Sequence, residues 1–169
     1  MGKRERKISA IKKYIGNVAG NWDGYSYGNI PSNILSNACK NYGGAINKND
    51  VLGLVDTTAF GSGKTGLIFA ENKVYYNYGF LGSKGALSYQ RIYDSGSIST
   101  DVYGSSINEE ALKELLSQLA AIEGETVSGT VSEMNDALHD LEGTIGEIGE
   151  VIDTGKRIFS TIFGGSNMK

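Results

Sequence analysis

The sequence predicts an α+β fold: helices at the N-terminus, an antiparallel sheet in the middle, a helix that caps the sheet, and a separate helical tail. Three observations lead there. Between Asp50 and Tyr103, apolar and aromatic runs are separated by turns far shorter than the dozen or so residues a parallel crossover needs. On either side the periodicity is helical, with Ile8, Ile11 and Ile15 before the β region and Leu112, Leu115, Leu116, Leu119 and Ile122 after it. The 24 glycines, ten tyrosines and single proline among 169 residues suit a turn-rich β unit better than a helical bundle, and 40% hydrophobic content suffices for a core.

Residues 3–15 read as a short basic amphipathic helix. It either lies beside the core with its lysines snorkelling outward or rests on an anionic membrane surface. From Gly16 to Asn29, glycines recur among polar and aromatic residues, and the spacing predicts a loop. Its Trp22, Tyr25 and Tyr27 either cover the edge of the core or stack on a ligand. Residues 1–29 thus precede a domain predicted over 30–123. Pro31 opens a second helix near its first turn, where the missing N–H is harmless. Ile34, Leu35, Ala38, Cys39 and Tyr42 form its apolar face, and Gly43-Gly44 ends it.

Strands are predicted at 51–59, 66–71, 73–79, 86–93 and 97–103. Partial alternation along 86–93 predicts a sheet with one buried and one wet face. Ser106-Ile107-Asn108-Glu109 has the form of a capping box and starts the third helix, which runs to about Glu123. Residues 124–130 are a Gly/Ser hinge. Thr130-Val131-Ser132-Glu133 is a second capping box, opening a helix predicted over 131–163 that leads to a disordered end at 164–169.

Within that helix Val131, Met134, Leu138, Leu141, Ile145, Ile148 and Ile152 recur at steps of three and four, with Val131, Leu138, Ile145 and Ile152 at a and the others at d. Such a seam fits an oligomerising coiled coil, and it also fits an amphipathic helix folded back on its own domain. Gly143, Gly146 and Gly149 each cost a helix roughly 1 kcal/mol against alanine, so this one needs a partner. Farther on, Lys156 and Arg157 precede Ile158, Phe159, Ile162 and Phe163, a set suited to a protein groove or to a bilayer interface.

Charge and side-chain chemistry narrow the function. The net charge is −3, yet residues 1–50 hold eight Lys/Arg against Glu5, Asp23 and Asp50, while 105–153 hold twelve Asp/Glu against Lys113 alone. The simplest use of this asymmetry is a match of opposite charges within or between subunits. An acidic chain with few basic residues argues against nucleic-acid binding. Cys39 is the sole cysteine and His139 the sole histidine, so neither an internal disulfide nor a Cys/His zinc cluster can form, and no metal or cofactor is predicted. His139 lies beside the heptad seam and reads as structural. No apolar run reaches the roughly 18 residues of a membrane span, and the N-terminus has no apolar h-region. The cytoplasm is the default compartment, with peripheral membrane contact as the alternative.

Gly61-Ser62-Gly63-Lys64-Thr65 resembles the end of a phosphate-binding loop. The full motif requires glycine where Thr58 stands, and it must open a helix whose N-terminal amides hold phosphate. Here it runs into Leu67-Ile68-Phe69-Ala70, so it reads as a β-turn rather than a nucleotide site. A ligand at this turn would meet Asp56, Thr57, Phe60 and Lys64.

With these elements placed, residues 30–93 resemble a group of uncharacterised bacterial pleckstrin-homology-like domains. The likeness is carried by Ile30-Pro31, Asp50-Val51-Leu52-Gly53-Leu54-Val55-Asp56-Thr57-Thr58, Phe60-Gly61-Ser62-Gly63-Lys64, Gly66-Leu67-Ile68-Phe69 and Val74-Tyr75-Tyr76. Val55 and Ala70 replace the isoleucine and threonine of the pattern. The resemblance implies a bent antiparallel sheet or split barrel capped by one C-terminal helix. Lipid-binding members of the wider fold use several cations around the first strand–strand loop, where this chain has Lys64. Many others are protein-interaction platforms. The combined expectation is a non-catalytic binding and assembly module, a homo-oligomer or docked to a protein partner through its C-terminal helix. The alternative is a peripheral membrane protein using the basic N-terminal helix and the Ile158–Phe163 tail.

Overall fold

A computed structural model of the protein describes residues 1–104 and 106–125. All of them fall in the first of two compact units, Met1–Glu125. The predicted hinge beyond Glu125, the seam from Val131 to Ile152, His139 and the tail at 156–169 lie outside the described residues.

The unit is an antiparallel meander of five strands, β1 (Asp23–Ser26), β2 (Val51–Asp56), β3 (Gly66–Ala70), β4 (Lys73–Asn77) and β5 (Lys84–Ser88), in sheet order β1-β2-β3-β4-β5. The sheet is open, with β1 and β5 as its edges. Four α-helices accompany it: α1 (Lys3–Ala19), α2 (Ser32–Asn41), α3 (Tyr89–Ser95) and α4 (Glu109–Gly124). The α+β class and the antiparallel meander are as the sequence predicts.

Helices cover both faces. On one, α1, α3 and α4 bury Ile11, Ile15, Val18, Leu112, Leu115, Leu116 and Leu119 against Leu52, Val55, Leu67, Phe69, Val74 and Leu87. On the other, Ile34 and Ala38 of α2, with Tyr42 at its C-cap, pack on Val51, Leu54 and Ile68. This corrects the expectation of one wet face. The physical reason lies in β2 and β3, which are buried at every position. Their continuous apolar runs are the pattern of strands sandwiched between layers, and alternation appears only in β4. A register shift between Val51 and Gly53 sends Leu52 to the α1 face while Val51 and Leu54 stay on the α2 face. Gly53 lets α1 approach closely, since a Cβ there would stand 2.5 Å from Ile11 Cγ2.

Four local expectations are overturned. The stretch 16–29 is not all loop: α1 continues to Ala19, and Asp23–Ser26 pairs with β2 as an edge strand. The predicted strand 86–93 ends at Ser88, whose hydroxyl accepts the amide N–H of Arg91 and so caps α3, and Gly96 closes that helix in the left-handed conformation. No strand forms over 97–103, where a 3₁₀ turn spans Thr100–Val102. The cap of α4 is Asn108, which accepts from the Ala111 N–H at 3.2 Å, rather than Ser106.

The N-terminal helix belongs to the core. Lys7 is only 4% exposed. Its ammonium donates to the Glu71 carbonyl and the Glu123 carboxylate, and it sits 5.4 Å from the centre of the Tyr89 ring. Arg6 forms a two-pronged pair with Glu125, and the guanidinium holds that carboxyl below the usual carboxylate range. Arg4 pairs with Glu71 and donates to the Asn49 carbonyl at 2.6 Å. Part of the basic N-terminal stretch is thus matched to the acidic stretch within one chain.

Candidate functional site

β2, β3, β4 and β5 are joined so that two loops leave the same end of the sheet, 57–65 between β2 and β3 and 78–83 between β4 and β5. The first contains three of the four ligand-binding candidates, Thr57, Phe60 and Lys64, and follows directly on the fourth, Asp56, the last residue of β2. Asp56, at its foot, is 1% exposed. Its Oδ1 accepts from the Thr58 N–H at 2.9 Å and the Thr58 hydroxyl at 2.6 Å, and its Oδ2 accepts from the Gly63 N–H at 2.9 Å. The Thr58 hydroxyl in turn accepts from the Ser62 N–H. Thr57 and Thr65 close the base through their hydroxyls, 3.0 Å apart, and Asn37 of α2 donates to the Ser62 carbonyl at 2.8 Å.

This network fixes what the loop can do. Asp56 turns inward and spends both oxygens on its own backbone, an aspartate turn extended by one more amide. No helix follows, because Gly66 starts β3. The arrangement needed for phosphate at a helix N-terminus is therefore missing from this turn. Phe60 and Lys64 point the other way, into solvent; Phe60 is 98% exposed. The structure thus brings Asp56 and Thr57 together in the framework and separates them from Phe60 and Lys64 at the surface.

The second loop was not singled out by the sequence pattern, yet it carries Phe80 and Leu81, fully exposed and 96% exposed. Its signal was present: two large apolar residues between Gly79 and Gly82, away from any strand or helix periodicity. The loops are tied together where they leave the sheet, since the Asn77 side chain donates to the Lys64 carbonyl at 3.1 Å. Tyr78 anchors the second loop to the body by donating to the Val102 carbonyl at 2.5 Å.

Elsewhere the candidates resolve into structure. Cys39 is partly buried on α2, and burial pushes its thiol up, away from the thiolate a nucleophile requires. Trp22 packs at the margin of the larger core and Tyr25 at that of the α2-side core, as edge-covering aromatics do, while Tyr27 lies exposed beneath the Arg4 guanidinium, 5.2 Å away. Among the described residues no group of His, Cys, Asp and Glu is placed to hold a metal ion, and no helix is long and apolar enough to cross a membrane.

Tyr42, at the C-cap of α2, is buried, and its hydroxyl finds no hydrogen-bond partner among the described residues. Burial, with the charge of Asp56 nearby, raises this phenol far above its ordinary range. A hydroxyl desolvated without compensation costs free energy, so Tyr42→Phe is expected to leave stability unchanged or raise it by up to about 1 kcal/mol. A lower unfolding free energy in urea would mean that the hydroxyl has a partner.

Comparisons with protein-family models, with curated proteins and with solved structures find no match to this chain.

Proposed function

We propose that the protein is a non-catalytic binding and assembly module, in which the 1–125 body presents its loop end to a binding target and the C-terminal segment joins a second copy or a protein partner. One observation carries the first half. The loop with the most chemistry-bearing residues directs its carboxylate into its own backbone and its largest apolar side chain outward. That is the reverse of a catalytic loop, which must aim polar groups at a substrate. Lys64 alone supplies too little convergent charge for phosphoryl chemistry, which requires a metal or several cations.

The assembly half rests on the seam from Val131 to Ile152 in the sequence. Seven apolar residues at heptad spacing call for a partner surface, and the glycines between them would leave a helix over this stretch too weak to stand exposed. The pleckstrin-homology-like assignment belongs to the same proposal. It is supported by the sequence pattern over 30–93 and by a C-terminal helix, α4, packed on an antiparallel sheet. The open sheet with helices on both faces is where this body departs from a split barrel.

Light scattering behind size exclusion tests the assembly half on the full chain. The unmodified protein is expected to run as a defined oligomer, and Leu138→Asp with Leu141→Asp is expected to reduce it to a monomer that keeps its melting transition. A monomeric parent chain would overturn homo-oligomerisation and leave docking to a foreign partner, for which a pull-down with residues 126–169 as bait is the next measurement.

A further inference from the structure

Phe60, Phe80 and Leu81 stand almost wholly in water on two loops tied together where they leave the sheet. An isolated exposed phenylalanine or leucine is ordinary, but three on neighbouring turns form a patch that a contact uses. Neither turn is a loose tether. The first is knitted by Asp56; in the second the Gly79 N–H donates to the Asn77 side chain at 3.1 Å and the Tyr78 N–H to the Ser83 carbonyl at 3.0 Å. The backbone under the tips is thus ordered before any contact is made, which lowers the entropy lost on association. We propose that this end of the sheet is a contact between two copies of the chain, related by a twofold axis and meeting tip to tip. The proposal rests on the reading of the loop end as the binding half of the module and is independent of the C-terminal seam.

The charges around the tips select the occupant. On the α2 side they are basic. Lys84 starts β5, its ammonium 3.0 Å from the Asn41 carbonyl at the end of α2, and Lys40 is exposed on the last turn of the same helix. On the α4 side they are acidic. Asp101 is exposed on the 3₁₀ turn whose Val102 is buried in the core of that face, and Glu109 and Glu110 open α4, with Lys113 a turn further along. Backbone contacts hold this acidic rim at the loop end. Gly104 backs onto the Tyr78 ring so closely that a Cβ there would lie 2.4 Å from Cε1, and the Asn108 N–H donates to the Val18 carbonyl, just before α1 gives way to β1. Lys64 on the first loop and Asp23 at the start of β1, both exposed, add one charge of each sign.

Such an end is complementary to itself. A twofold axis lying across the strands turns one copy over, so the basic rim of each meets the acidic rim of the other while the apolar tips pack between them. An unrelated protein has no built-in reason to carry the same two rims at the same spacing, whereas a second copy has them by identity. An anionic bilayer presents one sign only, and the acidic rim opposes it. The contact is small. Interfaces well below the standard size of about 1,600 Å² are transient, so association through the tips is expected at roughly 0.1–1 mM protein and not at the micromolar concentration of a size-exclusion run.

Sedimentation equilibrium up to about 1 mM tests it, on the full chain carrying Leu138→Asp and Leu141→Asp so that the seam does not contribute. A monomer–dimer equilibrium is expected. Adding Phe60→Ser, Phe80→Ser and Leu81→Ser should weaken it at least about tenfold. The melting transition should not move, because none of the three is in the core. Lys84→Glu alone and Asp101→Lys alone each set like charges across the axis, and each should weaken the dimer at least about threefold at low salt. An equimolar mixture of these two variants should associate as the unreversed chain does, because each then faces the opposite sign in the other. A variant that merely misfolds gains nothing from mixing, so the restoration reads the contact itself. The proposal is overturned by the absence of association at the highest concentration, by a serine variant that associates undiminished, or by a mixture no tighter than either charge variant. Capture of a lysate protein or of phosphatidylglycerol vesicles by the full chain, lost in the serine variant, would then keep the loop end as a binding surface with another occupant. Capture of neither would remove that reading as well.

Discussion

Gly66→Ala is expected to destabilise the body by more than about 3 kcal/mol, or to prevent it from folding. Gly66 opens β3 at φ +134°, a region almost reserved for glycine, and a Cβ there would lie 1.9 Å from the Val55 carbonyl oxygen. That oxygen belongs to β2, a strand buried at every position, and Gly66 stands in register with Asp56 across the pair. Neither strand can retreat, because α1 and α2 hold β2 from both faces. A matched control is Gly16→Ala on α1, where a Cβ meets nothing within 4 Å and helix propensity alone should add up to about 1 kcal/mol. Urea denaturation of the two variants decides the matter, and a Gly66→Ala protein as stable as its parent would show that the strand pair adjusts.

Asp56→Ala is expected to cost about 2–4 kcal/mol, the sum of desolvated donors left at Thr58 and Gly63, partly offset by water reaching the loop. For a body of this size that corresponds to a fall in melting temperature of roughly 10 °C. Asp56→Asn should fall between the two, since its oxygen can still serve Thr58 while its amide nitrogen cannot accept from Gly63. The sign separates two roles for this residue. A carboxylate kept for a ligand is usually a burden on the fold, so removing it would leave the melting temperature unchanged or raise it. Thermal melting of the three proteins without ligand therefore distinguishes a framework aspartate from a binding one.

Much of the fold was legible because burial and periodicity are local in sequence. The stripe from Leu112 to Ile122, the α2 face around Ile34 and Ala38, and the apolar runs of β2 and β3 all lie in the core as their spacing implied. The edge strand β1 was hidden because Asp23, Gly24 and Ser26 have little intrinsic β preference. It is held by hydrogen bonds to β2 and by the close approach of Ile15 and Ala19 of α1 to Gly24, which no window around residue 24 reveals. α3 is hidden for another reason. Tyr89, Ile92 and Tyr93 suit a strand, and their propensity masked two punctuation marks, Ser88 as cap and Gly96 as stop.

The turn between β2 and β3 is legible in its glycines, but which way Asp56 faces is not accessible from composition. An aspartate at a strand end followed by two threonines is a common start for a side-chain-to-backbone turn, and that was the available clue. The exposure of Phe80 and Leu81 follows from the meander itself, which sends every second connection to the same end.

The pairing of Arg6 with Glu125 and Lys7 with Glu123 has a topological corollary. The first turns of α1 and the last turn of α4 are neighbours, so the 1–125 unit begins and ends at one place on its surface. A unit with adjoining ends can be spliced into a loop of a host protein without stretching either chain. It can equally be re-cut at an exposed turn and rejoined end to end, with the native charge pairs marking the seam where the linker would lie.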